Sequence, residues 1–164
     1  MPGYAAITRG LDYGIPHSPT LELEHEELQA ELAQATQVRG KLGDAAKAVA
    51  KILHPHFQKE EEYAFPPLGL LPLLAEGKVT PEMGEVLHLT DHLKVGLHQM
   101  LEEHKAIVAA LKSVSLVAKR ERKMQYVRFA DRLMVHAMAE QEVLYPTAIV
   151  IGEYIKLKLG KSVD

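Results

Sequence analysis

An eleven-residue motif occurs twice in this chain and puts a histidine and a glutamate on one helical face each time. The copies are HFQKEEEYAFP, residues 56–66, and HAMAEQEVLYP, residues 136–146, which lie 80 residues apart. Both carry His at the first place, Glu at the fifth and seventh, an aromatic residue at the tenth and Pro at the eleventh. Residues four apart lie on the same face of an α-helix. Any fold for this chain must accommodate two such His-Glu faces.

Both faces continue apolar stripes, so the motif carboxylates are predicted to be buried. The stripes consist of Val49, Ile52 and Leu53 before the first copy, and of Phe129 and Leu133 before the second. His56 with Glu60 and His136 with Glu140 therefore point into the core. A buried carboxylate costs several kcal/mol unless it is paired or binds a metal. Two of them require a common explanation.

Apolar residues recur at helical spacing in four segments, and no strand-like alternation is visible. The first three predicted helices span about 18–39, 44–65 and 80–114, and a break follows within 113–121. The fourth helix carries Phe129, Leu133, Val143 and Leu144 and is ended or kinked by Pro146, after which a short C-terminal helix spans 147–159. Ser18 and Thr80 are expected to cap helices that have Pro at their first position, and Asp44 to cap the second helix after a glycine-rich turn. The sequence therefore predicts an all-α fold, an antiparallel up-down four-helix bundle. Residues 1–17 form an N-terminal arm and 18–164 a single domain.

The first and third helices each carry a histidine in their apolar stripe, His25 and His104. Neighbouring antiparallel helices bring residues level when these are equidistant from the turn. The midpoint of His25 and His56 falls at the predicted turn near residue 40, and that of His104 and His136 falls at residue 120. All four histidines can thus share one layer, with the two glutamates about a turn deeper. Six ligands of this kind suffice for two metal ions bridged by carboxylates, and each helical hairpin supplies one half-site.

Four motifs, in this order, resemble those of the hemerythrin-like (HHE cation-binding) family: EHEEL around His25, PHFQKEEEYAFP around His56, EEHKAI around His104 and HAMAEQEVLYP around His136. The resemblance covers about residues 18–150. It implies a four-helix bundle around a non-heme di-iron centre. In such a centre the four histidines would be terminal iron ligands, and Glu60 and Glu140 would bridge two iron ions.

The oxygen-carrying members of that family differ from this chain. They place a His-x3-His pair on the third helix and a His-x4-Asp pair on the fourth, whereas this chain has His104 and a His-x3-Glu. The resemblance therefore implies an open iron position that binds a small diatomic ligand or peroxide (O2, NO or H2O2). It favours a reactive or sensing role, including peroxide or NO consumption, over simple oxygen carriage.

Other residues near the motifs have competing interpretations. His88 and His92 form a His-x3-His pair, but at 100° per residue they lie about 140° and 100° away from the stripe. His54 and His98 also lie off the stripes. Three tyrosines either line the site or fill the core, with Tyr63 the strongest candidate for the site, ahead of Tyr126 and Tyr145. Several glutamates are either solvated or accept hydrogen bonds from ligand imidazoles: Glu24, Glu61, Glu62, Glu102, Glu103 and Glu142. The apolar residues 66–75 could form a lid or a dimer surface.

Composition narrows the remaining functions. The net charge of −3 does not favour nucleic acid or an anionic membrane as a partner, and the absence of cysteine excludes thiolate ligands and disulfides. No signal peptide or membrane span is expected, which predicts a cytoplasmic location. The expected oligomeric state is a monomer or a homodimer. A ferritin-like di-iron site needs two Glu-x2-His motifs, and Leu101 breaks the second of them. An iron or oxygen sensor or iron store whose stability follows metal occupancy, and a metal-free helical interaction module, remain as alternatives.

Overall fold

The computed structural model describes residues 17–161, which are helical and contain no β-strand. The all-α prediction is therefore confirmed for this part of the chain, and its long helices pack as a bundle. The arm predicted for residues 1–17 lies outside the described residues, apart from its last residue.

In the described part of the chain six α-helices follow one another: α1 (Pro19–Thr36), α2 (Lys41–Lys59), α3 (Leu71–Ala75), α4 (Leu87–Arg120), α5 (Met124–Ala139) and α6 (Tyr145–Lys158). A π-helical segment extends α2 (Glu60–Ala64), and another joins α5 to α6 (Glu140–Leu144). One 3-10 helix, Pro66–Leu70, precedes α3, and another, Pro81–Val86, lies between α3 and α4. The long helix α4 packs against α2, α5 and α6, while α1 packs mainly against α2 and less extensively against α5.

The first helix begins as predicted, and the second does not. Ser18 precedes α1, and its carbonyl accepts the N–H groups of Leu21 and Glu22, each at 3.1 Å. Asp44, the expected cap of α2, lies inside that helix, which begins at Lys41 after Gly40 (φ 87°). Gly43 is also helical, and a Cβ atom there would lie 1.8 Å from the carbonyl oxygen of Val38. Gly43 therefore allows a close approach of the preceding turn and does not break the helix.

The predicted break within 113–121 is wrong, because α4 continues without interruption to Arg120. Val114 and Ala118 are fully buried and prolong the apolar face, so the last two turns of the helix are held by the core. The chain turns at residues 121–123, where Arg122 has a φ of 59°. This displaces the turn only slightly from the position that the histidine spacing required.

The two prolines that close the repeated motif act differently. Pro66 ends the second helix as predicted, and the apolar residues after it turn inward, with Leu68 and Leu70 only 5% and 2% exposed. Residues 66–70 of the predicted lid or dimer surface are thus part of the core, whereas none of residues 71–75 is buried. Pro146 lies in the first turn of α6, where a missing N–H is tolerated, so the fourth helix continues beyond it.

Two separate apolar clusters form the core, and a polar layer lies between them. One cluster includes Leu32, Phe57 and Ile107, and the other includes Phe65, Met100 and Tyr145. On each long helical segment the predicted ligands fall in the sequence beside or between residues of these clusters. The bundle therefore holds its buried histidines and glutamates in a layer closed by hydrocarbon on either side. Among the described residues, no helix combines the length and apolar character that crossing a membrane requires.

Candidate metal centre

All six predicted site residues meet in this layer. Their exposed fractions are His25 0%, His56 1%, Glu60 0%, His104 2%, His136 6% and Glu140 1%. Their nitrogen and oxygen atoms form two groups that could each hold a metal ion, one of His56, Glu60, His104 and Glu140, and one of His25, His136 and Glu140. The structure thus assembles a buried cluster with the chemistry of a metal site, and the binding of metal itself stays a prediction.

The repeated motif folds in the same way twice. In each copy the fifth residue, Glu60 or Glu140, begins a five-residue π-helical segment. Its carbonyl accepts an N–H from the aromatic residue five places later, Phe65 in one copy and Tyr145 in the other. Such wide turns inside α-helices are frequent at functional sites. The sequence repeat is thus also a repeat of backbone geometry, which the helical pattern did not predict.

Glu60 lies between histidines from three helices. Its Oε1 is 3.3 Å from His56 Nε2 and 3.9 Å from His104 Nε2. Its Oε2 points the other way, 3.4 Å from His25 Nε2. The two oxygens of one carboxylate therefore face two different groups of imidazoles.

Glu140 has the same arrangement from the opposite helix. Its Oε2 is 3.2 Å from His104 Nε2, while its Oε1 is 3.4 Å from His25 Nε2 and 2.5 Å from His136 Nε2. The histidines thus divide into a His56/His104 pair and a His25/His136 pair, with both carboxylates between them. This corrects the assignment of one half-site to each hairpin, since each hairpin contributes one histidine to each pair.

Three of the four imidazoles are held from outside by a carboxylate at Nδ1. Nδ1 of His25 lies 3.1 Å from Glu61 Oε1, that of His56 lies 2.7 Å from Glu103 Oε2, and that of His136 lies 3.2 Å from Glu24 Oε1. An ionised carboxylate only accepts hydrogen bonds, so Nδ1 carries a proton, and each ring in its neutral form presents the lone pair of Nε2 inward. Metal-binding histidines are typically oriented in this way. Of the alternatives for the motif glutamates, Glu24, Glu61 and Glu103 thus contact site imidazoles.

The inward-facing atoms of the histidines and glutamates are imidazole Nε2 and carboxylate oxygen atoms. Where a neutral imidazole presents its lone pair to a carboxylate oxygen, two acceptors face each other and only a cation between them is favourable. Within residues 17–161, Glu60 Oε2 is buried without a hydrogen-bond partner, and His136 Nε2 faces only Glu140 Oε1, at 2.5 Å. His104 Nδ1 is also buried without a partner. These unpaired atoms fit a centre that holds positive charge, as a metal or as protons.

Tyr145 is the tyrosine of the site, and the choice of Tyr63 was wrong. The Tyr145 side chain is fully buried and its hydroxyl donates to Glu60 Oε1. The hydroxyl oxygen of Tyr145 also lies 3.0 Å from His104 Nε2 and 3.2 Å from His56 Nε2. Tyr63 instead directs its hydroxyl to Met100 Sδ at 3.4 Å.

The aromatic place of the motif makes the two histidine pairs unequal. Tyr145 in the second copy puts a hydroxyl beside the His56/His104 pair. Phe65 in the first copy puts a hydrocarbon ring 4.9 Å from the His25 ring, which also stacks on Phe57 at 3.7 Å. Position ten of the repeat could have identified Tyr145 from the sequence, because it places a polar aromatic at the same point where the first copy has an apolar one.

The two central carboxylates have opposite proton affinities. Burial and the negative charge of Glu140 raise the pKa of Glu60 above its usual value. Burial acts in the same direction on Glu140, but hydrogen bonds with His104, His136 and His25 outweigh it and lower its pKa well below the usual range. Without metal, this pair therefore favours one protonated and one ionised carboxylate.

His136 is the imidazole most affected by these charges. Burial disfavours its charged form, but the hydrogen bond and the negative charge of Glu140 prevail and raise the pKa of His136 to about 9. The pKa of Tyr145 is raised well above its usual range by burial and by the charges of Glu60 and Glu140, so its hydroxyl keeps its proton. At neutral pH a cation must therefore displace a proton at His136, and Tyr145 remains a donor.

The other candidate histidines stay outside the cluster. His54, His88, His92 and His98 are exposed, and His92 stacks on the ring of Tyr63 at 4.2 Å. The His-x3-His pair of α4 thus does not replace the histidine pair of the oxygen carriers.

No protein-family model matches this chain, and neither a curated protein nor a solved structure is similar to it. The likeness to hemerythrin-like proteins therefore stays a prediction that rests on the four motifs.

Proposed function

We propose that the buried cluster is a non-heme di-iron centre in a hemerythrin-like, antiparallel up-down four-helix bundle that forms one domain. His56 and His104 would bind one ion, His25 and His136 the other, and Glu60 and Glu140 would bridge them. The observation that carries this proposal is the common orientation of the imidazoles. They turn Nε2 toward two shared carboxylates, and carboxylates outside the layer hold Nδ1 of three of them. Nitrogen and oxygen ligands without sulfur suit iron.

The proposed activity is binding or processing of a small diatomic or peroxide ligand. When bound, an iron pair would supply electrons and binding positions to O2, NO or H2O2. The chain supplies a dry layer between two apolar clusters, which keeps bulk water from the centre. Tyr145 places a hydroxyl proton beside the His56/His104 position, where a ligand that accumulates negative charge would need it. Phe57 and Phe65 offer no such donor beside His25, so a polar ligand is expected at the His56/His104 position.

A second candidate function is sensing or storage of iron through the stability of the fold. Its basis is the centre without cations, in which the carboxylate oxygen Glu60 Oε2 is buried with no hydrogen-bond partner. Each unsatisfied buried group costs about 1–3 kcal/mol. Loss of metal would thus weaken the bundle and could change its partner or lifetime.

Metal content per chain and the absorption spectrum test the di-iron proposal. We expect two irons per wild-type chain and a ferric band in the near ultraviolet and visible, both lost in Glu60→Ala/Glu140→Ala. The matched control is Glu62→Ala/Glu142→Ala, which removes the exposed glutamates at the seventh place of the same motifs. A folded wild type that takes up no iron, or a control that loses it equally, would contradict the proposal.

Reactivity then separates the two candidate functions. Consumption of peroxide or NO by the iron-loaded wild type, changed in rate by Tyr145→Phe while iron content stays the same, supports ligand processing. Absence of any reaction, together with a large dependence of helicity on iron, supports sensing or storage instead.

A further inference from the structure

A groove between α1 and α5 leads from the surface to His136, at the edge of the centre. It has a volume of about 470 Å³ and runs along the seam where these two helices pack less extensively than the other neighbours do. One of its walls is His136, a side chain 6% exposed whose Nδ1 faces the groove residue Glu24 and whose Nε2 faces the buried Glu140. The groove thus connects solvent with the outer edge of His136, one member of the His25/His136 pair.

The charge of this groove is strongly negative. Four carboxylates and one guanidinium line it: Glu24, Glu27, Glu31, Asp131 and Arg132. Arg132 is paired with Glu31 across the groove, one helical turn from His136, and Glu24 is the groove carboxylate that contacts His136. A cleft lined by one sign of charge raises the local concentration of the opposite ion and its rate of association.

Glu24 belongs to both the groove and the centre. Its side chain is 48% exposed, yet its Oε1 lies 3.2 Å from His136 Nδ1. A hydrated cation that reaches Glu24 is therefore separated from the centre only by the imidazole ring that would become its ligand.

We propose that the α1–α5 groove is the uptake route for divalent cations, with Glu27 and Asp131 concentrating them and Glu24 delivering them to the His25/His136 pair. This inference rests on the proposed metal centre. It adds a prediction about rate, because charges at the mouth of a route change how fast a cation arrives and not how many the centre holds.

The test compares Glu27→Gln/Asp131→Asn with Glu26→Gln/Glu85→Gln. Both double variants remove two negative charges from exposed positions, but only the first pair lines the groove. The full chain is stripped of metal, its helicity is checked by circular dichroism, and uptake of Co²⁺ or anaerobic Fe²⁺ is followed by stopped-flow absorption. If the stripped chain has lost helicity, exchange of isotopically labelled Fe²⁺ into the loaded protein gives the same comparison.

At low ionic strength we expect uptake by the groove variant to be about tenfold slower than in wild type, with the same final metal content. The difference should shrink near 0.15 M salt, where the screening length is about 8 Å. Equal rates in wild type and groove variant, or equal slowing in the control, would overturn the route while leaving the metal centre intact. A wild type that binds no metal would overturn both the metal centre and the route. A lower final metal content in the groove variant would make Glu27 and Asp131 part of a binding site and refute the route.

Discussion

Glu60→Gln should stabilise the metal-free protein and at the same time remove most of the stability that metal adds. In the structure Glu60 is fully buried, its Oε2 has no hydrogen-bond partner, and burial and Glu140 raise its pKa. The amide of Gln keeps an acceptor for Tyr145 and puts a donor where Oε2 lies 3.4 Å from His25 Nε2. The amide carries this donor without taking up a proton, which is worth about 1–3 kcal/mol relative to ionised Glu60. For a chain of this size that raises Tm by about 2–4 °C per kcal/mol.

The effect of metal follows from mass action. At a free metal concentration 100 times the wild-type Kd, binding adds about 2.7 kcal/mol to the free energy of unfolding. Loss of a bridging carboxylate that weakens binding about 100-fold leaves about 0.4 kcal/mol at the same concentration. The metal-dependent rise in stability should therefore almost disappear in Glu60→Gln.

Thermal and urea unfolding, each with chelator and with saturating Fe²⁺ or Co²⁺, measures both quantities. Glu62→Gln is the control, an exposed glutamate two residues later in the same π-helical segment, and should stay within about 0.5 kcal/mol of wild type in both conditions. A metal-free Glu60→Gln chain less stable than wild type, or one that keeps the full metal-dependent increment, would refute the reasoning that Glu60 is held in place for a cation.

Three further predictions concern the surroundings of the centre. Glu103→Gln removes the charged acceptor 2.7 Å from Nδ1 of His56 and should weaken metal binding, measured by titration, about 10–100-fold. The same change at its exposed neighbour, Glu102→Gln, should leave the metal affinity unchanged. The proton on His136 stabilises the metal-free fold fully below about pH 6.5, and this stabilisation is lost as the pH rises through about 9. The free energy of unfolding should therefore fall by about 3 kcal/mol over that pH range. An equally steep pH dependence in His136→Gln would assign the fall to other groups. Gly43→Ala would bring a Cβ atom against backbone and should cost about 1–3 kcal/mol in urea unfolding, while Gly96→Ala, with open space at its Cβ, should gain about 0.5–1 kcal/mol; equal effects would contradict the packing of the α1–α2 turn.

The sequence by itself determined the local chemistry of this protein. A His and a Glu four residues apart share a helical face whatever the surroundings, and the apolar stripes placed those faces in the core. The spacing of His25, His56, His104 and His136 about the two turns brought them to one level, although each turn lies a residue or two from its predicted centre. Helical rise is regular, so such an error moves a side chain by only about 1.5 Å per residue.

What depends on contacts between helices could only be decided by the tertiary structure. The division of the histidines into pairs that cross the hairpins follows from which helices pack side by side, and it is not encoded in spacing along one helix. The same holds for Tyr145 in place of Tyr63, because a π-helical turn shifts the following residues around the helix axis and breaks the 3.6-residue pattern on which the prediction relied. The α1–α5 groove exists because two helices distant in the sequence pack loosely, and no local pattern reports how closely two surfaces approach.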